Sequence, residues 1–146
     1  MGMFRSMEIS SSGMSAQRFR MDVISQNIAN QDTTRTADGQ PYRRRVVTFQ
    51  EKGEPFLFTD WLSAYEAREA GGVRATSVQD DTSTDYKLVF DPEHPDADDE
   101  GYVRYPNVDL ERELTDMVGA VRSYEANVTA LNNFKNIAMK ALEIGR

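Results

Sequence analysis

Both ends of this 146-residue chain carry apolar stripes with the period of a helix seam, and nearly eighty residues lie between them. In the first thirty residues Met3, Met7, Ser10, Met14, Gln17, Met21, Ile24 and Ile28 follow a 4-3 spacing. Over the last forty, Leu110, Leu114, Met117, Val121, Tyr124, Val128, Leu131, Lys135, Ala138 and Leu142 do the same, and only Lys135 is charged. Pro106-Asn107 supplies a stop and an N-cap, Glu111 and Glu113 suit the first turns, and Gly145 can end the helix. The spacing predicts a helix from about Val108 to Ile144, roughly 55 Å long where a small domain spans ~30 Å. Such a helix needs a partner along its length. The N-terminal stripe is weaker, because Gly13 and the serines before it lower helix propensity, so alone that segment is marginal. The two stripes can meet only if the chain between them folds back.

That intervening chain reads differently. Tyr42 to Gln50, Gly72 to Val78 and Tyr86 to Phe90 are short β-branched and aromatic runs, with turns at Asp38-Gly39-Gln40-Pro41 and Asp80-Asp81. Phe56 to Ala67, with Trp61, fits helix or strand, and Asp91 to Gly101 is an acidic loop. The expected fold is α+β. N- and C-terminal helices (1–34 and 107–146) pair as a coiled coil, and a small β-rich insert (35–106) sits between them.

Composition removes several classes of function. Hydrophobic residues are 39%, charged residues 28% and mean hydropathy is −0.62, so a large self-sufficient core is not expected. With no cysteine, disulfides, thiolate metal sites and cysteine nucleophiles are excluded. One histidine leaves little for general-base or multi-histidine metal chemistry. The net charge of −7 opposes binding to nucleic acid or an anionic membrane. By segment it is +3 over residues 1–45, −10 over 46–100 and zero over 101–146, so the acidity belongs to the insert. No apolar run approaches the ~18 residues of a membrane span, and the N-terminus lacks the apolar stretch of a secretory signal. Ordinary export rules therefore predict a cytoplasmic protein.

Four features invite a chemical reading. Asp96-x-Asp98-x-Glu100-Gly101 imitates the first half of a calcium loop, but the position of the bidentate Glu is Asn107 and no helix precedes it. The same carboxylates could be imagined as a hydrolase dyad, which needs a concave pocket and one carboxyl kept protonated by burial. His94, between Glu93 and Pro95, is expected to be solvated. Arg43-Arg44-Arg45 beside Tyr42 suggests nucleic acid, or more simply a protected strand edge or an ion pair with an acidic neighbour. The methionines of the first stripe suit packing against non-identical neighbours. A soluble acidic-loop domain, calcium-binding or hydrolytic, is the alternative to a structural protein.

Two motifs carry a resemblance. Ser25-Gln-Asn27-Ile-Ala29-Asn30-Gln-Asp32-Thr33 resembles the element that closes the first helix of flagellar basal-body rod proteins. Arg122-Ser-Tyr124-Glu-Ala126-Asn127-Val128, with Asn133, Lys135 and Ala141-Leu-Glu-Ile-Gly145, resembles the terminal-helix signature of that family. In the middle, Asp38-Gly-Gln-Pro-Tyr-Arg43, Val46-Val-Thr-Phe-Gln50 and Asp91 to Val108 look like its short proximal-rod members, whereas residues 54–70 match no motif. The resemblance implies a structural subunit with no catalytic, cofactor or metal residues and no small-molecule substrate or nucleic-acid partner. Its partners would be other rod subunits, basal-body ring and adaptor proteins, and the flagellar type III export apparatus. That route needs no cleaved signal and would place the chain in the periplasmic rod, replacing the cytoplasmic expectation. Assembly would run through Met7, Met14, Met21, Ile24, Ile28, Leu114, Met117, Val121, Tyr124, Val128, Leu131 and Leu142. Asn27, Ala29, Asn30, Tyr124, Ala126 and Asn127 would be the family positions, with Asn27 and Asn30 capping the first helix in left-handed geometry.

Overall fold

The computed structural model describes residues 2–52 and 71–144. The expectations for residues 54–70, with Trp61, and for Gly145 lie outside that range, as does the side chain of Met3. Two helices dominate: α1 (Gly2–Ala29) and α2 (Leu110–Ile144). Among the described residues four strands lie between them, β1 (Arg45–Glu51), β2 (Val73–Asp80), β3 (Lys87–Phe90) and β4 (Tyr102–Tyr105). The strands form two antiparallel ribbons, β1–β2 and β3–β4. The α+β expectation holds.

α1 and α2 run antiparallel along one another. Asn27 meets Glu113 at one end of the contact, Arg20 meets Asp116, Arg18 meets Tyr124, and Gly13 faces Asn127 further along. At 1.5 Å per residue α2 is about 52 Å long and α1 about 42 Å. The close approach depends on Gly13, where a Cβ would stand 3.0 Å from the Asn127 amide. Gly13 therefore lowers the intrinsic stability of α1 and permits the tertiary contact that restores it. Gly13→Leu should overpack this contact and cost about 1–3 kcal/mol, read as a lower denaturant midpoint.

The helix ends differ from expectation in two details. The N-cap of α2 is Asp109, whose carboxylate accepts from the Glu111 amide at 3.2 Å, while Asn107 serves another purpose. α1 ends at Ala29, and the Asn30 side-chain amide donates to the Gln26 carbonyl at 2.8 Å. Among the described residues only glycines have positive φ, so Asn30 caps without a left-handed backbone. Asn27 does not cap at all: it lies inside the helix and reaches sideways to β1.

The β1–β2 ribbon packs on the flank of α1. Its register runs from Arg45↔Asp80 to Glu51↔Val73, with a bulge at Thr48/Phe49. The Val73 amide donates to the Ser12 hydroxyl at 3.0 Å, and Ser12 in turn donates to the Ile9 carbonyl at 2.7 Å. Gly72 has φ +101°, and a Cβ there would fall 2.5 Å from the Ser12 oxygen, so strand entry requires glycine. The serines that weaken α1 as an isolated helix include its docking point for the sheet.

The second ribbon pairs Lys87↔Tyr105 through Phe90↔Tyr102. Sequence reading missed β4, a four-residue strand that follows an eleven-residue loop and is too short for its alternation to stand out. Val103 is fully buried on one face, while Leu88, Phe90 and Tyr102 remain exposed on the other. The acidic loop closes this ribbon. The Asp98 carboxylate accepts from the Glu100 and Tyr102 amides at 3.0 and 2.8 Å, and Gly101 turns the chain at φ +83°.

Candidate functional site

Two features stand out: a buried polar junction where both helices meet the insert, and an uncovered apolar face on the helix pair. The junction is built around Asn27 and Glu113, which are 1% and 0% exposed. An asparagine amide offers two donors and two acceptor lone pairs, and Asn27 uses all four. Its nitrogen donates to the Arg45 carbonyl at 2.9 Å and to Glu113 Oε2 at 3.0 Å. Its oxygen accepts from the Tyr42 hydroxyl and the Arg45 amide, both at 2.9 Å. Burial pushes the Tyr42 phenol above its ordinary pKa, consistent with a phenol that serves as a donor.

Glu113 is closed from the other side by Arg44, whose Nε donates to Oε1 at 2.6 Å. The same guanidinium lies 3.5 Å from Asp116 and 3.9 Å from Asp81. Asp116 also pairs with Arg20 at 3.1 Å. Asn107 completes the junction: its oxygen accepts from the Arg44 amide at 2.8 Å, and its nitrogen donates to the carbonyls of Asp81 and Thr84 at 3.0 and 3.1 Å. A charge taken out of water is tolerated only when it is paired and hydrogen-bonded, and here each Glu113 oxygen accepts one bond, from Arg44 and from Asn27.

The arginine cluster is thereby accounted for by intramolecular contacts, the ion-pair reading of the sequence. Arg43 stacks 4.6 Å from the Tyr86 ring centroid, Arg44 fills the junction, and Arg45 lies 3.6 Å from Asp80. The acidic loop is likewise occupied internally. Asp96 accepts from the Thr34 hydroxyl at 2.8 Å and sits 3.5 Å from Arg35, and His94 Nδ1 accepts from the Asp96 amide at 3.1 Å. Among the described residues no three carboxylate or imidazole groups converge on one point, which leaves the calcium and hydrolase readings without support.

Asp81 organises the turn between β2 and β3. Its carboxyl is held down to about 2 by hydrogen bonds, first from the Ser83 hydroxyl and then from the Thr84 hydroxyl and both backbone amides. The ordinary value is 3.8, so this stabilisation is complete above about pH 4 and is lost as the pH falls toward 2. Asp81→Asn should therefore lower the denaturant midpoint at neutral pH and flatten its decline between pH 4 and 2.

The helix pair uses only half of each sequence stripe. On α2 the packed side carries Glu113, Met117, Ala120, Tyr124, Asn127, Leu131, Phe134 and Ala138, all buried or half-buried. Met117, Tyr124, Leu131 and Ala138 come from the expected stripe. In place of Leu114, Val121 and Val128, the residues one position earlier face the partner helix. On α1, Gly13, Arg20 and Asn27 reach α2 beside the half-buried Met14, Met21 and Ile28, and Ser10, Gln17 and Ile24 of the stripe are buried or half-buried as well.

The displaced residues form a second face. Leu110, Leu114, Val118 and Val121 are 40%, 50%, 51% and 37% exposed, and Leu142 near the end of α2 is 76% exposed. Met7, Met14, Met21, Ile28 and Val128 are half-buried. In a heptad each displaced set is rotated in the same sense from its packed set. Because the helices are antiparallel, both rotations bring the displaced residues to one side of the pair. The β1–β2 ribbon occupies the opposite flank of α1, through Ser12 and Ala16. The result is a two-helix apolar surface turned away from the ribbon. Of the motif positions, Ala29 and Ala126 are exposed, Asn30 caps α1, and Asn127 packs on Gly13. Sequence reading missed Arg44, Glu113 and Asn107 as junction residues, and only the ion-pair reading of the arginines pointed toward them.

Comparison with known proteins agrees with this architecture. Residues 7–35 match the family described as "Flagella basal body rod protein", and residues 99–144 match "Flagellar basal body rod FlgEFG protein C-terminal". The two matches cover α1 from Met7 onward with the turn after it, and β4 with α2. Along its whole length the chain is similar to proteins named flagellar basal-body rod protein FlgC. It is 48% identical to that of Bacillus subtilis, over 98% of both chains. It is 45% identical to that of Borreliella burgdorferi, over 99% of this chain and 98% of the relative. With that of Yersinia enterocolitica the identity is 40% over all of both chains. Identity of 40–48% over essentially the whole of both chains places this chain in the FlgC family of flagellar basal-body rod proteins.

Proposed function

We propose that this chain is a structural subunit of the proximal rod of the bacterial flagellar basal body, the shaft that transmits torque across the periplasm, and that it performs no catalysis. The observation that carries this reading is end-to-end similarity to FlgC proteins at 36–48% identity. The terminal segments, 1–34 and 107–146, form the inner layer of the rod as an antiparallel coiled coil. Their second apolar face is covered by neighbouring subunits, and the acidic insert, 35–106, stays on the outer surface in solvent. Its partners are other rod subunits and the ring or adaptor proteins at the rod base, reached through the flagellar type III export apparatus without a cleaved signal. The apolar face supports this assembly, since a monomer would leave uncovered a stripe of the kind that marks protein contacts.

Electron cryotomography of cells lacking this chain tests the assignment. Basal bodies should stop before the distal rod, and the intact gene should restore the rod and swimming. Complete rods in the deleted strain would overturn it.

A further inference from the structure

The β1–β2 ribbon is held at two places that differ in what they require. At one end the Val73 amide is bound by Ser12, so the attachment needs α1 alone. At the other, Arg45 pairs with Asp80 on its β2 edge, and on its other edge both its backbone N–H and its carbonyl are taken by the Asn27 amide. A helix side chain thus stands where a neighbouring strand would. Asn27 is set in that orientation by Glu113 of α2, and Arg44 is bound to the same carboxylate at 2.6 Å. The Arg44 amide is bound by Asn107, just before α2 begins.

We propose that the junction of Asn27, Arg44 and Glu113 is a latch that makes the orientation of the β1–β2 ribbon conditional on pairing of the two terminal helices. When α2 leaves α1, the Arg44 guanidinium loses Glu113 and Asp116, and Asn27 loses the carboxylate, one of its four hydrogen-bond partners. The ribbon stays tethered at Ser12, while at Arg44 and Arg45 it is held only by Asn107 and by an Asn27 side chain that α2 no longer fixes. When the helices pair, one buried carboxylate restores both contacts, because burying it unpaired is unfavourable. Asn27 and Glu113 act here as positioning residues. In a rod subunit whose helix pair is completed by neighbours, the insert is then oriented only once its helices are in place. That last step rests on the rod reading; the latch itself is a property of the single chain.

The chain has no cysteine, so the variant Gly13→Cys with Asn127→Cys gives one closable pair, about 21 Å along α1 from Asn27. Amide hydrogen exchange by NMR is compared with that pair open and closed, by oxidation or by a short bis-thiol cross-linker. Closure should slow exchange at Arg44 and Arg45 by about tenfold, in step with the helices, and at Val73 by less than about threefold. Adding Glu113→Ala should abolish the gain at Arg44 and Arg45 while the helices still gain protection. The latch is overturned if Arg44 and Arg45 do not respond when the helices do, or if their response survives Glu113→Ala. Because the readout is one chain's internal exchange, failure here leaves the rod assignment standing, and failure of rod assembly leaves the latch standing.

Discussion

Arg44→Ala is expected to be the most damaging single substitution at the junction, costing about 3–5 kcal/mol of folding stability. Glu113 has no exposure, and Arg44 supplies its shortest contact, at 2.6 Å. Alanine leaves the carboxylate with Asn27 alone, and takes from Asp116 and Asp81 the cation they share with it, Arg20 remaining on Asp116 only. Removing both charges tells a different story. Arg44→Met combined with Glu113→Leu should recover most of the loss, because apolar residues of similar size need no compensation. Urea titrations followed by circular dichroism separate the cases. An Arg44→Ala protein within about 0.5 kcal/mol of the parent, the range of ordinary surface changes, would mean that Glu113 does not depend on Arg44.

Leu114→Asp with Val121→Asp should have the opposite profile. Both side chains lie outside the helix contact, 50% and 37% exposed, so the folded monomer should shift by no more than about 0.5 kcal/mol per site. In the assembled rod the same pair would bury two carboxylates in an apolar contact. Rod assembly and swimming should therefore fail while the purified protein keeps its helical spectrum and denaturant midpoint. Swimming at the parental level would refute the assembly role of this face. A collapsed midpoint would show instead that Leu114 and Val121 belong to the helix contact itself.

These two experiments divide the residues along a line that only part of the sequence shows. Both long helices and three of the four strands are legible from periodicity and turn chemistry, with ends displaced by a few residues. The 4-3 pattern also identifies Met117, Tyr124, Leu131, Gln17 and Ile24 on the packed side. It does not pick out the neighbours that pack beside the other half of each stripe, because hydropathy prefers Leu114 to Glu113, Val121 to Ala120 and Met14 to Gly13. The helix contact selects the second member of each pair. Small residues let the backbones approach, and Glu113 becomes a core residue only because Arg44 and Asn27 arrive from elements far away in sequence. Such a cross-chain hydrogen-bond set has no local signature. Asn27 is visible as a motif position, yet the motif alone suggests a cap, whereas its four hydrogen bonds make it a strand partner in the junction. The acidic insert is a similar case. The −10 charge of residues 46–100 is plain from composition, but composition does not reveal that Asp81, Asp96 and Asp98 are spent on turns and on Thr34 and Arg35.

In the proposed rod, neighbouring subunits cover the large apolar residues of the second helix face. A helical reconstruction of the assembled rod at side-chain resolution should show Leu114, Val121, Met14 and Met21 buried against a neighbouring subunit, with the Asn27–Arg44–Glu113 junction intact inside each chain. A rod in which that face lines open solvent, and subunits meet only through their β inserts, would contradict it.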